Sequence, residues 1–363
     1  MLRSRIRGDG VADLLINALA SGLLLGAFYA AVTLGVSISF GMLDVVNIAH
    51  PAFIILGSYI AYIANTRLGI DPIVVALIML PAFYFLGQAI YQVSYLSFEK
   101  QGDDNWRGVI FFSGLLLVLG FGAFSLASAR LGWGLDPILI GVGLLPVAFL
   151  LGRALYKVAG VSFENQGNNS LRGLAFFFGL LFVTEVTLII AFGVDYRYVE
   201  ARYIGPTLRP LGIDLPLRML VPACVCVTLF VALQLFLSRT FTGRAILAVS
   251  QDPFALRLLA IDPVRIKRIG FGISIATAAL AGACLIIIQP VEPSVGREYI
   301  GRVFAVCVLG GMGSLPGTMI AALLLGMVEN LTTTFFGPSW APAVAFGFLL
   351  ITLAVRPAGL LGR

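Results

Sequence analysis

Few residues in this chain could carry out chemistry. Ser314 lies in Gly311-Met312-Gly313-Ser314, a glycine-flanked serine like the nucleophile of an intramembrane serine protease. It would need a base, and His50, the single histidine, is the one candidate; nothing in the spacing fixes that contact. A lone histidine builds neither a metal site nor a proton relay. The four cysteines (Cys224, Cys226, Cys284, Cys307) lie in apolar stretches with no CxxC or Cys/His pairing, so disulfides and structural zinc are not expected. No Walker A, HExxH or GxSxG pattern occurs. The sequence therefore predicts no catalytic residue, no metal and no cofactor. What stands out instead is polar chemistry in the wrong solvent: Asn47, His50 and Glu185 fall in or beside apolar runs. Such residues face a bundle interior or a water-lined cavity, and they mark solute paths or helix–helix hydrogen bonds.

The elements that must position them are membrane helices. Of 363 residues, 59% are hydrophobic and 12% charged, and the mean hydropathy is +0.99. A soluble domain would have about a quarter of its residues charged. Apolar runs of about 20 residues satisfy their backbones in lipid only as helices. The predicted fold is therefore an all-α polytopic bundle of about ten spans, at 11–40, 48–66, 72–96, 109–130, 137–159, 173–194, 216–238, 269–290, 303–330 and 341–356. The net charge of +6 reads as membrane topology and not as a nucleic-acid signal. Arg3, Arg5 and Arg7 precede a run too long for a signal-peptide core, so that run is read as a span.

Two spans are broken. Between the first two lies GMLDVVNIAHP (41–51), where Asp44, Asn47 and His50 step by three. His50 reads either as a packing histidine bonded to a carbonyl or as a solute contact. Later, VFAVCVLGGMGSLPGTMIAALLLGMVENL is interrupted by Gly310, Gly311, Gly313, Pro316 and Gly317, which predicts two helices meeting in a hairpin that dips into the membrane. Broken spans line the paths of transporters. An internal repeat is also present. A shift of 65 residues aligns 69–118 with 134–183, with 24 identities in 50 positions. Each copy is a span, a loop and a span, so the duplication leaves everything downstream in its original orientation. The second copy ends in the span that holds Glu185, where the first has Gly120.

The longest polar insertion is 239–268. It carries Arg239, Arg244, Arg257, Arg265, Lys267 and Arg268 against Asp252 and Asp262, or 6 − 2 = +4 of the chain's +6. A loop this basic belongs on the cytoplasmic side. Asp252-Pro253 and Asp262-Pro263 read as helix starts, an Asp cap followed by Pro at the first helical position. Phe254, Leu258 and Ile261 then form one apolar stripe. Two short helices outside the membrane are expected, with that stripe offered to a partner; a basic hairpin resting on anionic lipid is the alternative. With seven spans ahead of it, an inside loop puts the N-terminus outside, against the pull of Arg3, Arg5 and Arg7.

Four segments, in order, carry a resemblance. They are GAFYAAVTLGVSISFGMLDVVNIAHPAFIILGSYIAY (26–62), GRAILAVSQDPFALRLLAID (243–262), VLGGMGSLPGTMIAALLLGMVENL (308–331) and RPAGLLGR (356–363). Together they resemble the shorter permease subunit of branched-chain amino acid ABC importers. The resemblance implies an inner-membrane permease paired with a second, homologous permease, two cytoplasmic ATP-binding subunits and a solute-binding protein outside. It implies that 239–268 is the ATPase-coupling loop, with Gly243, Arg244, Asp252, Ala255, Arg257, Leu258, Leu259 and Asp262 its working residues. Asn47, His50, Glu185, Gly310, Gly311 and Gly313 are the expected pathway residues. Urea or short amides are alternative cargoes, and a stand-alone secondary transporter is the alternative class. Two features depart from the family: Pro51, where glycine is usual, and the duplicated hairpin, which marks 72–136 as an insertion.

Overall fold

The computed structural model describes residues 2–95, 150, 169–356 and 359–361. Eleven α-helices are described: α1 (Leu2–Ser39), α2 (His50–Leu68), α3 (Pro72–Ser94), α4 (Asn169–Phe192), α5 (Leu217–Arg239), α6 (Phe241–Val249), α7 (Pro253–Leu258), α8 (Pro263–Ile288), α9 (Val295–Gly310), α10 (Leu315–Phe336) and α11 (Ala341–Val355). The described strands are one small hairpin, Thr207–Leu208 against Leu215–Pro216. Five described helical stretches are long and apolar enough to cross a membrane: Val11–Ser39, Pro72–Ser94, Leu217–Arg239, Pro263–Ile288 and Leu315–Phe336. The all-α, multi-pass expectation is met. The expected spans at 109–130 and, apart from residue 150, 137–159, and with them the junction of the repeat, lie outside the described residues.

Helix α8 is the axis of the bundle. From Phe271 to Ile288 nearly every residue is buried, and its sequence is apolar or small all round, as a helix surrounded by other helices requires. Small residues let its neighbours come close. A Cβ on Gly282 would overlap the Ile54 carbonyl of α2. At the same level Ser58 donates to Gly282 O (2.6 Å). Ser274 donates to Gly35 O of α1 (2.7 Å). Helix α1 also packs antiparallel to α10: Gly26 and Gly326 meet backbone to backbone, Asn330 Nδ2 donates to Ala18 O (2.6 Å), and Gly41 abuts Gly313.

These contacts sort the loops between two ends. The end of α1, the end of α5, the short helices α6 and α7 and the α9–α10 junction share one end, called here the loop end. The start of α1 and residues 193–216 lie at the other, where Asp214 N donates to Asn17 Oδ1 (2.8 Å). There Asp71 caps α3 by accepting from Ile73 N (2.8 Å), and Tyr203 donates its hydroxyl to the same carboxylate (3.1 Å). Burial, reinforced by Asp71, raises the Tyr203 phenol well above its ordinary pKa.

Helix α9 is short. Its 16 residues measure about 24 Å, less than the roughly 30 Å hydrocarbon core. Its start is sunk: Val291 pairs with Arg197, whose guanidinium lies 5.8 Å from the Tyr62 ring, whereas Gly296 sits beside Pro51 and Ile55. Between those levels of α2 the chain descends about 10–16 Å. Where α9 passes α1 and α10 it carries a buried charge network that the sequence reading missed. Arg302 pairs with Glu329 (3.1 Å), Tyr29 donates to the other Glu329 oxygen (2.8 Å), and the guanidinium lies 5.5 Å from the Tyr299 ring. Arg302→Met would leave a buried carboxylate unmatched, and the expected loss is about 3–5 kcal/mol. Thermal unfolding in detergent checks this. The double change Arg302→Met with Glu329→Leu should recover most of the loss, and a double as unstable as the single would refute the pairing.

Candidate functional site

At the loop end the backbone folds as tightly as its caps dictate. Thr240 caps α6 by accepting from Gly243 N (3.0 Å). Gly243 is helical and not a turn: a Cβ there would strike Phe236 O and Leu237 at the end of α5, so glycine is what lets α6 fold back on α5. Asp252 Oδ1 accepts from Phe254 N and Ala255 N, both at 2.9 Å, and fixes the start of α7. Asp262 accepts from Val264 N (3.0 Å), but the helix it starts is not a short external one: it is the first turn of α8, which runs without interruption to Ile288. The second short helix is instead α6, whose signal was the Thr240 cap.

Helix α7 ends at Leu258, and Ala260 at φ 57° turns the chain. The expected stripe is thereby divided. Ile261 folds back against the core, while Phe254, Leu258 and Leu259 stand more than three-fifths exposed. Ala255 is half-buried, and Arg244 and Arg257 are exposed. The result is a capped, two-helix platform offering apolar side chains amid cations.

Beside the end of α6 is a cavity of about 540 Å³. Its wall includes Gly41 and Met42 from the first break, Leu237 of α5, Ser250 and Gln251 from the end of α6, and Gly313 of the second break. Gly311 and Gly313 hold φ of 93° and 81°, a region that favours glycine, and Ser314 caps α10 by accepting from Gly317 N (3.2 Å). Gly310 and Gly317 touch backbone to backbone. The last carbonyls of α9 are met from far along the chain: Leu360 N donates to Leu309 O (2.8 Å) and Leu361 N to Gly310 O (3.2 Å). The glycine break thus lies at the loop end, with α10 running its whole length back along α1.

The other nominated residues are elsewhere. His50 is buried against Gly35, its Nε2 3.1 Å from Val32 O. Asn47 is buried one turn before it, and His50 N donates to Asn47 O (3.4 Å). Glu185 is buried on α4 and pairs with Arg297 of α9 at 2.9 Å, towards the far end. The structure therefore joins the basic loop to the two breaks but places Asn47 and His50 in the core and Glu185 in a helix–helix ion pair. Ser314 is occupied as a cap and His50 by a carbonyl, which gives the serine-hydrolase reading no support. Among the described residues no group of three or more His, Cys, Asp or Glu could hold a metal ion.

Comparison with known proteins adds the family. A family model described as "Branched-chain amino acid transport system / permease component" matches residues 18–353. The high-affinity branched-chain amino acid transport system permease protein BraD of Pseudomonas aeruginosa is 29% identical over 353 residues, 96% of each chain. LivH, the corresponding permease protein of Escherichia coli, is 25% identical over 355 residues, again 96% of each. The E. coli permease protein LivM is 28% identical over a shorter 286 residues, 70% of this chain and 65% of its own. No solved structure matches. With five described helices apolar enough to cross a membrane and a family match spanning most of its length, the chain belongs to the permease components of branched-chain amino acid transport systems.

Proposed function

We propose that this chain is one of the two membrane-spanning permeases of an ATP-driven importer for branched-chain amino acids in a bacterial inner membrane. A second, homologous permease would complete the path, two cytoplasmic ATP-binding subunits would drive it, and a solute-binding protein would deliver cargo from outside. The observation that carries this reading is the α6–α7 platform. It is held rigid by two caps, exposes Phe254, Leu258 and Leu259, and shares a cavity wall with both broken segments. Exposed large apolar side chains on a short helix fit a groove on a partner.

In this reading the loop end faces the cytoplasm, as its charge favours, and residues 193–216 face the binding protein. The start of α1 is then outside, against the preference of Arg3, Arg5 and Arg7. ATP-driven closure of the partner subunits pushes on α7. Gly243 passes the push to α5, which stands across the cavity from the 41–49 and 311–314 breaks, and Gly41 in contact with Gly313 makes the two breaks respond together. Asp252 and Asp262 fix the two helix starts, and Arg244, Ala255 and Arg257 complete the seat. Asn47 and His50 set the shape of the first break, Gly310, Gly311 and Gly313 that of the second, and Glu185 anchors α4 to α9. Catalysis stays with the partners, and this chain transmits motion.

Two outcomes follow. Leu258→Asp puts a charge into the proposed groove contact and should abolish co-purification of the ATP-binding subunits while leaving this chain monodisperse in detergent. Unchanged recovery of those subunits would refute the seat. Asp252→Ala removes a cap worth about 0.5–2 kcal/mol of local stability. It should lower transport per ATP hydrolysed in proteoliposomes more than it lowers the amount of chain inserted; normal coupling alongside reduced insertion would overturn the role given to Asp252.

A further inference from the structure

Charged side chains exposed at membrane depth need a solvent. Helix α9 begins beside Pro51 and Ile55, well below the level of Tyr62, and its first turn carries Arg297 and Glu298. Their side chains are 55% and 69% exposed, although α9 packs against α1, α2, α10 and, one turn further on at Gly301, α11. Hydrocarbon does not tolerate such an exposure, so a face of this kind lines water or meets a polar partner. One turn further on, the mostly buried Arg302 is anchored by Glu329 on one side and approaches Glu298 on the other at 3.8 Å, the longer of its two pairings. The Arg302 Nε atom has no hydrogen-bond partner.

We propose that this face of α9 is a binding site for the charged end of a zwitterionic amino acid, with Glu298 receiving the ammonium and Arg302 the carboxylate. Glu298 and Arg302 are four residues apart, on one side of the helix, so a single solute can touch both. The solute would replace a loose ion pair by two closer ones. Arg302 suits the carboxylate because its planar fork presents several donors in fixed geometry, and the Glu329–Tyr29 anchor holds that fork in place. Arg297, tied to Glu185, walls the entrance from the far end. The proposal rests on the importer reading and adds the solute contacts to it. None of these four charged residues of α9 and α10 was nominated from sequence.

The experiment uses the whole importer in proteoliposomes, with Cys224, Cys226, Cys284 and Cys307 replaced and Arg297→Cys introduced at the entrance, which leaves both proposed solute contacts in place. A membrane-impermeant, positively charged methanethiosulfonate is applied from the binding-protein side, with and without leucine-loaded binding protein. We expect labelling, slowed at least fivefold by leucine. A transporting complex that never labels, in any nucleotide state, overturns the site and points to lipid or the second permease as what covers this face. Labelling that leucine leaves unchanged overturns the solute contact. Should the cysteine variant fail to assemble, Glu298→Gln in the native background is measured by leucine uptake. At least a tenfold loss of efficiency is expected, with partial rescue by Glu298→Asp, and unchanged uptake overturns the proposal. The importer reading is tested separately by the unmodified complex: ATP hydrolysis without uptake of leucine, isoleucine or valine defeats that reading whatever the labelling shows.

Discussion

A helix buried on every side is the constraint on which the rest of this fold depends. Water cannot drive helices together inside a membrane, so α8 is held by close packing and by hydrogen bonds to neighbouring backbones. Gly282 admits α2, Ser274 reaches the carbonyl of Gly35 on α1, and Gly272 lies against Tyr84 on α3. At Gly272 and Gly282 there is no room on α8 for a side chain. Helices so placed have little freedom to slide, and rearrangement falls to the segments that are not helical. The 41–49 and 311–314 breaks are two of these, and they meet at Gly41 and Gly313.

Charge is distributed to match. Glu185, Arg297, Arg302 and Glu329 tie α9 to α4 and to α10 at the level where the chain is sunk. A short helix with a depressed start has fewer apolar contacts to hold it, and ion pairs buried on one side fix its height and rotation. Gly301, one turn beyond Arg297, packs against the Phe346 ring of α11.

Local signals were legible in the sequence. Asp71, Asp252 and Asp262 each precede a proline and each caps a helix, because an extended residue with a short acceptor followed by a preset φ leaves the chain little choice. Composition also marked the basic loop and the two breaks, but not their depth: the glycine break, expected to dip into the membrane, lies at the loop end. Pairings across the chain were not legible. Tyr29 and Glu329 are separated by 329 − 29 = 300 positions, and no periodicity announces that they meet. Glu298 and Arg302 carry no signal in the sequence beyond a four-residue spacing, and the depth that gives them meaning is set by the descent of residues 291–295 along α2. His50 and Asn47 were conspicuous as polar residues in an apolar run, yet the space beside Gly35 takes His50 into the core.

The bonds that finish α9 also impose an order on assembly. The carbonyl of Leu309 finds its donor in Leu360, 360 − 309 = 51 residues later. At synthesis rates of about 5–20 residues per second, that carbonyl waits roughly 3–10 s before its partner exists. During that interval the α9–α10 junction has an unclosed helix end beside the cavity. The helices flanking it can form and pack, but the junction itself settles only after the chain has come back from α11. Assembly with a partner at the loop end, if it starts on the nascent chain, therefore meets a platform already folded beside a junction still open.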